Sequence, residues 1–199
     1  MQGLDILVID QRDIQKRGGK CARFPVSCLI RDMLRELGLE SKVRMVLDTT
    51  YGEGRFYGAW RPKLLLASDI KIHKWVVEPD WFTISPSWSV WHRVQKLGIR
   101  PDLVVIDPPF MERGGKGSRK HYEVTTAFGS PETIIDGGLE SAKRLGCKTV
   151  LVHYNKLYVP NHWELVKYVE FLFFTRYLKQ DTKYNPNTSY FYILKKVNE

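Results

Sequence analysis

Three short apolar runs that each close on an acid constrain this chain more than any other feature. They are "VRMVLD" (43–48), "KLLLASD" (63–69) and "DLVVID" (102–107). Each is of strand length, and segments with helical spacing lie among them, a pattern that predicts an α/β sheet, mainly parallel. Helices are expected over 25–38, with Pro25 in the first turn and Gly38 as the C-terminal cap, over 87–97, over 131–145, where Gly137-Gly138 weaken the case, and over 161–171, with Asn161 as cap. Residues 4–9, 75–85 and 148–154 read as further strands, and "FLFFTRYL" and "SYFYILKKV" as a closing pair. About ten residues join that pair, too few for a helical crossover, so the last strand should run antiparallel.

With 199 residues, 43% of them hydrophobic, the chain suits a single domain, 1–199, with its own core. Residues 1–23 carry the basic stretch "QRDIQKRGGKCAR" and read as a mobile arm; 111–130 read as a flexible substrate loop. No apolar run approaches the roughly 20 residues that span a bilayer, and the N-terminus has no positive n-region, so a cytoplasmic protein without membrane contact is expected. Cys21, Cys28 and Cys147 are odd in number and lack metal-ligand spacing, which predicts buried free thiols and no metal. The formal charge of +9 favours polyanionic partners, nucleic acid first.

In open α/β sheets, ligands sit beyond the carboxyl ends of the strands. The segment "VLDTTYGEG" places Asp48, Gly52 and Gly54 there, and the glycines let the backbone turn sharply and approach a ligand. The next strand ends at Asp69, where a carboxylate can accept from both hydroxyls of a ribose. Neither phosphate-binding glycine fingerprint is present, which disfavours dinucleotides and nucleoside triphosphates. A ligand with a ribose and no pyrophosphate fits, and S-adenosylmethionine is such a molecule.

The run "DLVVIDPPF" closes on a second arrangement. Pro108 and Pro109 lack N–H groups and must take the chain out of the sheet. What then faces outward is the Asp107 carboxylate and a prolyl carbonyl, two acceptors, followed by the Phe110 ring. Two acceptors can hold the N–H groups of an exocyclic amine, draw its nitrogen toward tetrahedral geometry and stabilise the positive charge that develops on it. An aromatic ring stacks on the base that carries the amine.

Together these segments resemble the class I S-adenosylmethionine-dependent methyltransferases, in the amino-methyltransferase branch with a [DNS]PP[YFW] motif. "RFPVSCLIRDML" (23–34), "VLDTTYGEGRF" (46–56), "ASD" (67–69) and "VVIDPPF" (104–110) follow in the family's order. The resemblance implies a Rossmann-like α/β fold: a mostly parallel seven-stranded sheet with an antiparallel last strand and helices on both faces. It implies S-adenosylmethionine as cofactor, held by Phe24, Asp48, Thr50, Gly52, Gly54, Asp69 and Ser85. It assigns the target amine to Asp107, Pro108, Pro109 and Phe110. Thr49 and Thr50 stand where the family commonly has Pro and Phe, and Ser85 in "ISPSW" is the nearest match to a group beside the adenine amine. Residues 70–101 are too few for a large target-recognition insert, which points to loops or a partner subunit for substrate choice.

Arg113, Lys116, Arg119 and Lys120 follow the motif among glycines and read as phosphate contacts. The leading expectation is methyl transfer to N6 of adenine in DNA or RNA. Transfer to a protein lysine or glutamine nitrogen, and a non-catalytic nucleic-acid-binding relative, stay open.

Overall fold

The computed structural model describes residues 7–109, 129–173 and 187–197. Eight strands form one sheet: β1 (Leu7–Asp10), β2 (Met45–Asp48), β3 (Leu64–Asp69), β4 (Trp81–Ile84), β5 (Leu103–Ile106), β6 (Thr149–Tyr154), β7 (Trp163–Phe173) and β8 (Asn187–Lys196). Their order across the sheet is β1-β7-β8-β6-β5-β2-β3-β4. β8 runs antiparallel to both neighbours, and every other pair is parallel. The helices among the described residues are α1 (Gln11–Gln15), α2 (Gly19–Arg23), α3 (Pro25–Glu36), α4 (Val90–Lys96) and α5 (Pro131–Arg144).

The central strands are apolar throughout because both of their faces are covered. Leu29, Ile30, Met33 and Leu34 of α3 pack with Val46, Leu65 and Val105 on one face. On the other, Val90 and Val94 of α4 and Ile135 and Leu139 of α5 pack with Leu47, Leu66, Val104 and Ile106. Pro25 opens α3, and Gly38, at φ 62°, ends it while the Leu39 N–H donates to the Leu34 carbonyl at 2.7 Å. Gly137 and Gly138 do not break α5. A Cβ on Gly138 would lie 2.5 Å from Ile106 Cδ1, so the absence of side chains is what lets the helix rest on β5.

The expected seven-stranded sheet with full helical layers over both faces is not what the chain forms: the sheet has eight strands, and helices cover each face only in part. The strand read at 4–9 is β1, which makes an eighth strand at the sheet edge, parallel to β7 with Leu7 opposite Val169. The expected helix over 161–171 is instead β7. A register shift between Leu165 and Lys167 explains the misleading spacing. One extra residue in a strand moves later side chains to the opposite phase. Trp163, Leu165 and Tyr168 therefore share one core and Val166, Val169, Phe171 and Phe173 the other, and each set contains a three-residue step that imitates a helix. The helical layers are correspondingly thin: α1 and α2 have five residues each and α4 has seven.

Three smaller expectations also change. The stretch 11–23 is not an arm but α1 and α2, anchored by a fully buried Ile14 and by Asp10, whose carboxylate accepts from the Arg12 N–H at 2.7 Å. Cys21 and Cys28 form a disulfide, so only Cys147 is a buried free thiol. Of the expected strand 75–85, only Trp81–Ile84 joins the sheet, while the Trp75 ring packs on Phe82.

Candidate active site at the carboxyl ends of β2, β3 and β5

β2 lies between β3 and β5. From β2 the chain steps outward to β3 and β4, then returns across the sheet to β5 on the other side. The order reverses at the β2–β5 pair, which makes its carboxyl end the switch point where ligands bind in open α/β sheets. Asp48, Asp69 and Asp107 all leave the sheet at this edge.

Asp48 is an anchor rather than an outward ligand. It is only 2% exposed, and both carboxylate oxygens are taken: one accepts from the Thr50 N–H at 2.9 Å, the other from the Tyr57 hydroxyl at 2.8 Å. Burial pushes its carboxyl up to about 7, against the pull of those two donors. The turn it organises brings Gly52, at φ 55°, to donate its N–H to Asp69 Oδ2 at 2.8 Å. Nothing lies within 4 Å of where a Gly52 Cβ would stand, so this turn faces open space. Gly54, at φ 74°, is different: a Cβ there would come within 2.5 Å of the Tyr51 hydroxyl oxygen and 2.7 Å of the Val77 carbonyl. Its glycine is required by packing.

Asp69 keeps its other oxygen on the Ile70 N–H at 2.7 Å, and His73 Nε2 stands 3.6 Å from Oδ2. A carboxylate offers about four lone-pair positions, so acceptor capacity remains for a ribose. Ser85 joins the same edge through its N–H, which donates to the Asp69 carbonyl at 3.0 Å. Its hydroxyl turns toward Ser89 Oγ, 3.0 Å away.

Thr50 links the two halves of the site. Its hydroxyl oxygen accepts from the Asp107 N–H at 2.6 Å, while the neighbouring Thr49 hydroxyl donates to the Val105 carbonyl at 3.3 Å. The two threonines therefore tie the β2 turn to β5. Beyond Asp107, Pro108 is buried and Pro109 half-buried. Phe110, Arg113, Lys116, Arg119 and Lys120 lie outside the described residues.

The Asp107 carboxylate is held from the other side by a relay that the sequence concealed. His153, at the end of β6, sits with Nδ1 2.8 Å from Asp107 Oδ1 and Nε2 2.9 Å from Ser189 Oγ of β8. His153 pairs with Phe191 in the β6–β8 register, and their rings stack at 3.9 Å with 9° between planes. Acid, imidazole and hydroxyl in line also describe an acyl-transfer triad. Here the solvent-facing end is the acid, with 32% of its side chain exposed, whereas Ser189 is 1% exposed, the reverse of what a nucleophilic hydroxyl needs. The sequence signal for His153 was only its place at a strand end; Ser189 gave none.

A cavity of about 360 Å³ opens on the far side of His153, and Arg23, Phe24, Arg55 and Ser189 help to line it. Phe24 is seated against Gly58, where a Cβ would lie 2.3 Å from the ring. No cluster of three or more metal-ligating side chains exists among the described residues, and no described helix is long and apolar enough to cross a membrane.

No family model and no curated protein matches the sequence. Among solved structures, a crystal structure of Thermoplasma acidophilum 1320 is similar at 13% identity and a TM-score of 0.48, over 94% of this chain and 97% of that one. A likeness of this size carries no argument about activity.

Proposed function

We propose that this protein transfers a methyl group from S-adenosylmethionine to an amino nitrogen, with N6 of adenine in a nucleic acid as the target. The observation that carries the reading is the partly exposed Asp107 carboxylate at the end of β5. Asp107 and Pro108 sit at the switch point, and the Asp107 backbone and side chain are each fixed from a different segment, by Thr50 of the turn after β2 and by His153 of β6. Such preorganised acceptors are what a developing positive charge on nitrogen requires.

The neighbouring turn fits the cofactor. Gly52 faces open space, Asp69 retains acceptor capacity for ribose hydroxyls, and the loop lacks the glycine fingerprint of a pyrophosphate site. Asp69, Gly52 and Thr50 would hold the cofactor. When bound, the cofactor supplies an electrophilic methyl on a sulfonium.

The chain's own contribution is orientation and charge. The Asp107 oxygen not held by His153, together with the Pro108 carbonyl, receives the two amine hydrogens. That bends the nitrogen lone pair toward the methyl and away from the ring. The amine is nearly neutral before reaction and cationic during it, so both contacts strengthen in the transition state. A base in a duplex must leave the stack to reach this edge, which favours single-stranded or flipped targets.

Asp107→Ala tests the reading. Calorimetry with S-adenosylmethionine should give the same affinity as wild type, while methyl transfer falls by about two to three orders of magnitude. Transfer at the wild-type rate would remove Asp107 from the mechanism.

A further inference from the structure

The cavity beyond His153 has a composition that selects for charge. Among its described lining residues there are two arginines and no carboxylate. Arg23 and Arg55 are both exposed, Arg23 over the Phe24 ring at 5.1 Å and Arg55 paired with Glu53 at 2.7 Å. Phe24 and Phe173 supply aromatic wall, and Gln11 and Gln15 bring side-chain amides able both to donate and to accept. About 360 Å³ is within the range of small-molecule sites. Flat apolar walls, amide edges and two guanidinium groups match a planar heterocycle carrying a phosphate.

The position fixes which part of a strand would enter. His153 forms one wall and touches Asp107 at 2.8 Å, but Asp107 itself does not line the cavity. A base at Asp107 therefore leaves the cavity to its neighbour in the strand. We propose that the cavity is a flanking-nucleotide subsite: it takes the base next to the target against the Phe24 and Phe173 rings and a phosphate on Arg23 and Arg55. The inference rests on the methyl-transfer reading only for what stands at Asp107. It names the substrate class as single-stranded or opened nucleic acid, and it makes this cavity the source of sequence context, since contacts to flanking nucleotides set the preferences of enzymes that act on extruded bases.

The test is fluorescence anisotropy with a labelled short single-stranded oligoadenylate and the full chain, over a series of salt concentrations. Arg23→Gln combined with Arg55→Gln should weaken binding about tenfold at low salt and reduce the magnitude of the slope of log K against log salt by about 0.7, the value for one neutralised phosphate. Phe24→Leu should weaken binding about fivefold or more with the slope unchanged, because it removes a stacking face and no charge. Lys42→Gln with Lys148→Gln, at the opposite edge of the sheet beside a separate cavity, is the control and should change neither. Equal losses from the two charge variants, or no loss from either, would overturn the subsite. Calorimetry with S-adenosylmethionine separates the two readings. Oligonucleotide binding sensitive to Arg23 and Arg55 without cofactor heat supports the subsite and removes methyl transfer. Cofactor heat with insensitive oligonucleotide binding overturns the subsite and leaves methyl transfer standing.

Discussion

His153 reaches from β6 to hold Asp107 at 2.8 Å, and its other ring nitrogen is held by Ser189 at 2.9 Å. One carboxylate oxygen of the acid is thereby fixed. Displacements of about 1 Å at a reacting group cost about a hundredfold in rate. His153→Ala is expected to lower the turnover of methyl transfer about 10- to 100-fold with cofactor affinity unchanged. Added imidazole should restore part of the loss, and His153→Asn, which keeps a donor near the Nδ1 position, should lose less. Steady-state kinetics with and without imidazole check this. Full activity in His153→Ala would show that Asp107 needs no such support.

Thr50 makes the matching prediction on the backbone side. Its hydroxyl is the acceptor for the Asp107 N–H at 2.6 Å. Thr50→Val keeps the shape and leaves that donor unpaired, which costs about 1–3 kcal/mol. Denaturant midpoints should fall accordingly in Thr50→Val and stay near wild type in Thr50→Ser.

Asp48 predicts a pH dependence. Its carboxyl is pushed up to about 7 by burial, from an ordinary value of 3.8. Between those values the folded chain binds more protons than the unfolded chain, so stability declines as pH rises through that interval and levels off above it. The full shift corresponds to about 4 kcal/mol. Asp48→Asn cannot titrate, can still accept from the Thr50 N–H, and can donate its amide to Tyr57. Melting temperatures of wild type and Asp48→Asn should differ least near pH 4, and the variant should gain relative to wild type up to about pH 7. A constant difference across that range contradicts the assignment.

The Cys21–Cys28 disulfide closes a short loop that contains Arg23 and Phe24. Short-loop cross-links contribute about 2 kcal/mol by restricting the unfolded chain. The double variant Cys21→Ser, Cys28→Ser should melt several degrees lower, and reductant should lower wild type toward it while leaving the variant unchanged.

What the sequence disclosed followed the range of the forces involved. The Asp-Pro-Pro end of β5 and the Asp48 turn were legible because proline and glycine act on their own backbone. The helix over 131–144 was legible despite Gly137-Gly138, whose close packing on Ser87 and Trp88 and on Ile106, respectively, outweighs their poor propensity. β7 was misread because a bulge disturbs the two-residue alternation on which strand recognition depends. Asp48 was read as an outward ligand, since nothing local reveals that Tyr57 and the Thr50 N–H occupy both its oxygens. The relay through His153 and Ser189 was illegible for a related reason. It depends on the antiparallel register of β8 against β6, which joins residues 36 positions apart.

Transfer of label from radioactive S-adenosylmethionine tests the central claim most directly. The protein is incubated separately with single-stranded DNA, with RNA and with a protein extract, and modified nucleosides are resolved after digestion. The account predicts label in nucleic acid, recovered as N6-methylated adenine nucleoside, and its loss in Asp107→Ala. Label confined to protein, or equal label with Asp107→Ala, would contradict it.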